Sequence, residues 1–72
     1  MFITIDDILS VYHKKLHVGT ESIKVLLLNG DSFYVSPLLA KDHLANGFGL
    51  IINRYILNYE VLEYIINYNK EK

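Results

Sequence analysis

The chain has no cysteine and no tryptophan, and only one proline among 72 residues. Without cysteine, neither a disulfide framework nor a thiolate metal site can staple so small a domain. Stability has to come from packing, shared with a second chain where the interior falls short. No apolar run approaches the ~20 residues of a membrane span. The opening Met1-Phe2-Ile3-Thr4-Ile5-Asp6-Asp7 has no basic segment before an apolar stretch, so it does not read as a secretory signal. Neither sign of charge dominates. Seven Lys+Arg against eight Asp+Glu leave a net charge of −1. Bulk charge therefore argues against nucleic acid as a partner. The expectation is a cytoplasmic protein with no cofactor and no membrane association.

Apolar residues are abundant: 51% of the chain is hydrophobic, and mean hydropathy is +0.21. A chain of this length buries only about 60–65% of its unfolded surface. Apolar material beyond that usually ends in an interface. No internal repeat or low-complexity stretch divides residues 1–72, which read as one α+β domain. Asn69-Lys70-Glu71-Lys72 reads as a frayed polar tail.

Five elements are predicted. Thr4, with Asp7 three residues on, resembles a capping box, and Ile3 with Ile8 a hydrophobic staple. Ile8, Leu9, Tyr12 and Leu16 then share one face at helical spacing, predicting an N-terminal helix that ends near Gly19. A β-hairpin follows, with Asn29-Gly30 between two apolar runs. Ser36-Pro37 starts a short connecting helix over Pro37–Ala45, and Gly47 ends it. Beyond Phe48 two readings compete. In one, Leu50–Ile52 and Tyr55–Leu57 form a second hairpin or extended segment. Asn58 then caps a C-terminal helix that buries Val61, Leu62, Ile65, Ile66 and Tyr68. In the other, a single helix runs from Leu50 to Tyr68. Arg54 suits a tight turn poorly, whereas β-branched density suits strands. The balance favours the hairpin.

The first hairpin carries the functional reading. A two-residue turn at Asn29-Gly30 sets Leu28 opposite Asp31, Leu26 opposite Phe33 and Lys24 opposite Val35. The face with Leu26, Phe33 and Val35 is then the core. The other face, with Ile23, Val25, Leu27 and Tyr34, needs a cover. Tyr55, Tyr59 and Tyr64 add large amphipathic rings near the C-terminus. The expected protein interface is Ile23, Val25, Leu27, Tyr34, Tyr55, Tyr59 and Tyr64.

Other chemistry is weaker. His13 and His17 stand four apart, a spacing that can hold zinc on a helix, but the glutamate of a zincin helix is missing. A solvated polar face is the preferred reading. Lys41-Asp42-His43 gathers titratable groups, yet adjacent helical residues do not face each other. Asn46-Gly47-Phe48-Gly49 lacks both phosphate-loop patterns. No catalytic residue, metal ligand or cofactor site is assigned, and no enzyme is expected.

Two resemblances concern the hairpin. Leu28-Asn29-Gly30-Asp31-Ser32-Phe33-Tyr34-Val35-Ser36-Pro37 resembles the first hairpin of FlbD-type flagellar accessory proteins. That family continues with an alternating strand and a Pro-Asp-Thr turn, which Leu38 to Phe48 lack. A helix, a strand and an Asn-Gly hairpin in that order are also similar to Sm-like barrels, which implies RNA binding as rings. No functional residue is carried over from either. The expectation is a small non-enzymatic regulatory protein that binds a partner protein or self-associates as a homo-oligomer. A small nucleic-acid binder is the alternative.

Overall fold

The structure, a computed structural model, describes residues 1–15 and 21–68. It is a small α+β domain of two helices and two three-stranded sheets. Strands β2 (Ile8–Lys15), β3 (Glu21–Leu27) and β4 (Ser32–Val35) form an antiparallel sheet with β3 central. Strands β1 (Phe2–Ile3), β5 (Leu50–Ile52) and β6 (Tyr55–Leu57) form the second sheet, with β6 central, β1 parallel to it and β5 antiparallel. Helices α1 (Pro37–Ala45) and α2 (Tyr59–Asn67) pack on each other.

The N-terminal helix is not formed. Thr4 and Asp7 do make their local bonds: the Thr4 amide donates to the Asp7 carboxylate at 2.9 Å and the Asp7 amide to the Thr4 carbonyl at 3.0 Å. They cap only a 3₁₀ turn, Ile5–Asp7, before β2 begins. Tertiary pairing decides the matter. β3 buries Ile23, Val25 and Leu27 in alternation, and β4 satisfies only one of its edges. The other edge would leave backbone donors and acceptors unpaired without β2. Val11 also pairs with Val25 and is buried, which the helical face of Ile8, Leu9 and Tyr12 would not achieve. Leu16, His17 and the predicted stop at Val18-Gly19-Thr20 lie outside the described residues, as does the tail 69–72.

The first hairpin forms, but one residue out of the expected register. Ile23 pairs with Val35, Val25 with Phe33 and Leu26 with Ser32. The loop is Leu28-Asn29-Gly30, closed by Gly30 N–H to the Leu27 carbonyl (3.1 Å) and Leu27 N–H to the Asp31 carbonyl (2.9 Å). Gly30 takes φ +94°, the left-handed residue of a three-residue hairpin loop. A one-residue slip moves every side chain to the other face. Here it gathers Ile23, Val25, Leu27, Phe33 and Val35 on one buried face. Ser22, Lys24, Ser32 and Tyr34 go outward. Burial therefore selects the longer loop. Ile23, Val25 and Leu27, expected on the face that needs a cover, lie in the domain's own core, whereas Tyr34 from that face is exposed and Leu26, expected in the core, joins the outward row.

The remaining elements lie where the sequence puts them. Ser36 Oγ accepts from the Leu39 amide at 3.5 Å, with Pro37 at the first helical position of α1. Gly47 and Phe48 close α1 by donating to the carbonyls of Leu44 (3.1 Å) and His43 (2.9 Å), a Schellman motif. Ile52 pairs with Tyr55 across Asn53-Arg54, and only Asn53 of the two takes positive φ, so Arg54 is not strained. Asn58 Oδ1 accepts from the Val61 amide at 2.9 Å and caps α2. Val61, Leu62, Ile65 and Ile66 form its buried stripe. They join Ile3, Val11, Leu57 and the hairpin face in one hydrophobic cluster.

Gly49 sets the approach of β5 to β6. A Cβ there would stand 2.6 Å from the Leu57 carbonyl oxygen, a backbone atom that cannot swing aside. Gly49→Ala is expected to destabilise the domain by about 1–3 kcal/mol, as overpacked sites do. Thermal unfolding checks this; an unchanged midpoint would contradict the close contact.

Candidate functional site

Four of the seven expected interface residues are interior. Ile23, Val25, Leu27 and Tyr55 belong to the buried cluster and present no surface to a partner. The hairpin register is the reason for the first three. Tyr55 is inside because it alternates with outward Ile56 on β6. Tyr34 and Tyr59 are exposed. Tyr64 is half-buried beside Tyr68, ring centroids 5.4 Å apart.

The apolar excess emerges elsewhere. On the smaller sheet, Phe2 pairs with Ile56 and Ile56 with Ile51. Paired residues point to the same side, so the three form one row across β1, β6 and β5. All three face outward: Phe2 is 58% exposed, Ile56 40% and Ile51 69%. Leu28 and Met1, also exposed, border a cleft beside Phe2. Strands of two or three residues are too short to show by alternation which side is inward, so the sequence does not single this row out.

No protein-family model, curated protein or solved structure matches the chain.

A polar cluster ties the two hairpin turns together. The Tyr55 hydroxyl donates to the Asp31 carboxylate, and Arg54 Nη2 donates to it at 3.3 Å. Tyr55 also packs its ring on Phe33, centroids 5.5 Å apart, with Arg54 5.7 Å from its centroid. The Tyr55 hydrogen bond, followed by that of Arg54 and its charge, holds the Asp31 carboxyl below its usual value against a partial desolvation. A depressed folded pKa stabilises the fold above the ordinary aspartate range, near pH 4, and that stabilisation fades as pH falls through the folded value. The unfolding midpoint of the wild type is thus expected to drop more between pH 6 and pH 3 than that of Asp31→Asn. Equal drops would contradict the linkage.

The histidines are engaged separately. His13 is half-buried on β2 and its Nε2 donates to the Ile65 carbonyl in the last turn of α2 at 3.1 Å. Carbonyls there have no partner within the helix, so the contact docks strand to helix. His17 lies outside the described residues. His43 Nδ1 bonds to the Leu39 carbonyl one helical turn back (2.9 Å), not to Asp42. No group of three metal-ligating side chains converges among the described residues. The amides of Gly47 and Phe48 are spent on closing α1 rather than free to hold a phosphate. Among the described residues no helix is long and apolar enough to cross a membrane. The helix-first order behind the Sm-like resemblance is absent, because the chain begins with a strand.

Proposed function

We propose that this is a non-enzymatic interaction protein that self-associates through the outer face of its smaller sheet. The observation that carries the reading is the exposed row Phe2–Ile56–Ile51. No charged side chain stands within β1, β5 or β6, which favours desolvation of the face; the flanking Met1 ammonium is engaged by the Arg54 carbonyl. The row also suits a two-fold contact. With Ile56 at the centre, a two-fold axis lying between the packed sheets, over Ile56 and parallel to β6, lays Phe2 over the partner's Ile51 and the partner's Phe2 over Ile51. Isologous interfaces require this kind of self-complementarity. Aligned sheets pack face to face about 10 Å apart, with interdigitated side chains. Exposed Leu28 and Met1 would extend the apolar area beside Phe2.

Light scattering across a concentration series tests the reading. The expected result is a dimer mass at high concentration, falling towards the monomer on dilution. A monomer throughout, up to several hundred micromolar, would overturn it.

A further inference from the structure

The larger sheet has an outer face of different character. Register places Tyr12 opposite Lys24 and Lys24 opposite Tyr34, one row across β2, β3 and β4. The next row towards the strand ends sets Lys14 beside Ser22, and the row on the other side sets Ser10, Leu26 and Ser32 together. Tyr12 and Tyr34 are 51% and 62% exposed. Lys24 Nζ stands 5.9 Å from the Tyr34 ring centroid. Tyr12, His13, Lys14, Ser22, Lys24 and Tyr34 border an open hollow of about 640 Å³. These outward rows contain two lysines and no aspartate or glutamate.

Among the described residues the acids lie elsewhere, with Asp42 on α1. Asp6 and Asp7 are in the 3₁₀ turn, and Glu60 and Glu63 border a cleft along α2 with Tyr64 and Tyr68. Asp31 is held by Tyr55 and Arg54. Glu21 pairs with Lys15, on the row facing the other way. A net charge of −1 therefore conceals a segregated distribution with one positive, aromatic, hydroxyl-rich sheet face.

We propose that this face binds single-stranded nucleic acid. Two exposed rings on alternate strands stand roughly 10 Å apart, given strand spacings near 4.8 Å. Between them is a cation. Unpaired bases stack on exposed aromatic rings, while lysines track the phosphates, and such binding needs no sequence-specific contact. Duplex bases are already stacked and cannot use the rings. The surface is on the opposite sheet from Phe2, Ile51 and Ile56, so the inference does not rest on self-association.

Fluorescence anisotropy with labelled ten-residue oligo-dT and oligo-rU, in 50 mM and 200 mM salt, tests it. The expected result is saturable binding to at least one of the two, and their ratio distinguishes DNA from RNA. Two lysine–phosphate contacts predict a log–log salt slope of about 1.4. Lys24→Glu is expected to weaken binding at least tenfold, and Tyr12→Ala with Tyr34→Ala likewise. Phenylalanine at both positions keeps the rings and is expected to restore affinity. Circular dichroism verifies that each variant is folded. Ile56→Asp is expected to bind as the wild type does. No binding in 50 mM salt would overturn the proposal. So would equal affinity for a duplex, equal competition by polyglutamate, or full affinity in the folded double-alanine variant.

Discussion

Leu27→Lys is expected to unfold the protein, whereas Leu26→Lys leaves it folded with a midpoint within a few degrees of the wild type. The two residues are neighbours of the same type, and only their side of β3 differs. Leu27 is buried with Val25 and Ile23, while Leu26 is half-exposed between Ser10 and Ser32. Removing a buried leucine costs about 2–5 kcal/mol before any charge is considered, and an unpaired buried ammonium adds several more. A domain of this size holds only roughly 3–5 kcal/mol from its core. Leu27→Lys therefore exceeds the whole stability, and Leu26→Lys places a long polar chain on a face already bearing Lys24. Circular dichroism and urea titration of both variants check the pair. A folded Leu27→Lys with an unfolded Leu26→Lys would restore the two-residue turn and reject the observed register.

The second large effect is on assembly. Ile56→Asp is expected to convert the dimer to a monomer at all accessible concentrations, weakening association by about a hundredfold or more. Ile56 is the centre of the row, so in the two-fold arrangement each dimer brings two aspartates together in a desolvated contact. Uncompensated burial of one such charge already costs several kcal/mol. The outward position makes the same change milder for the monomer than it would be at a core site, because Ile56 is 40% exposed and its neighbours Leu57 and Tyr55, not Ile56, belong to the core cluster. Sedimentation equilibrium of wild type and variant, with thermal unfolding alongside, reads both. A variant that remains dimeric would place the interface elsewhere. Tyr59→Asp, on an exposed residue outside the row, is expected to leave the mass unchanged.

The parts of the fold legible in the sequence were those fixed by local chemistry. Ser36-Pro37 and Gly47 bracket α1, and Asn58 starts α2, because cap and stop residues act on their own backbone. The stripe Val61, Leu62, Ile65 and Ile66 reads directly as a buried helix face. The rest depended on distant partners. Ile8, Leu9 and Tyr12 have helical spacing, yet the unpaired edge of β3 draws them into a strand. Asn29-Gly30 announces a turn but does not say whether two or three residues close it, and that single residue decides which face of β3 shares a side with Phe33 and Val35. The expected interface at Ile23, Val25 and Leu27 failed on this point alone. The exposed row was hidden for another reason. Ile51 and Ile56 meet across a local hairpin, but Phe2 is distant in sequence and only the parallel docking of β1 on β6 brings it into their row. The Tyr12–Lys24–Tyr34 row is invisible for the same reason: its members come from three strands, one of which reads as a helix.

The most direct test of the central claim is an isotope-filtered nuclear Overhauser experiment on an equimolar mixture of labelled and unlabelled protein. The account predicts intermolecular contacts between the Phe2 ring of one copy and the Ile51 methyls of the other, together with Ile56 to Ile56. Intermolecular contacts confined to other surfaces, or none at a concentration where the dimer mass is observed, would contradict it.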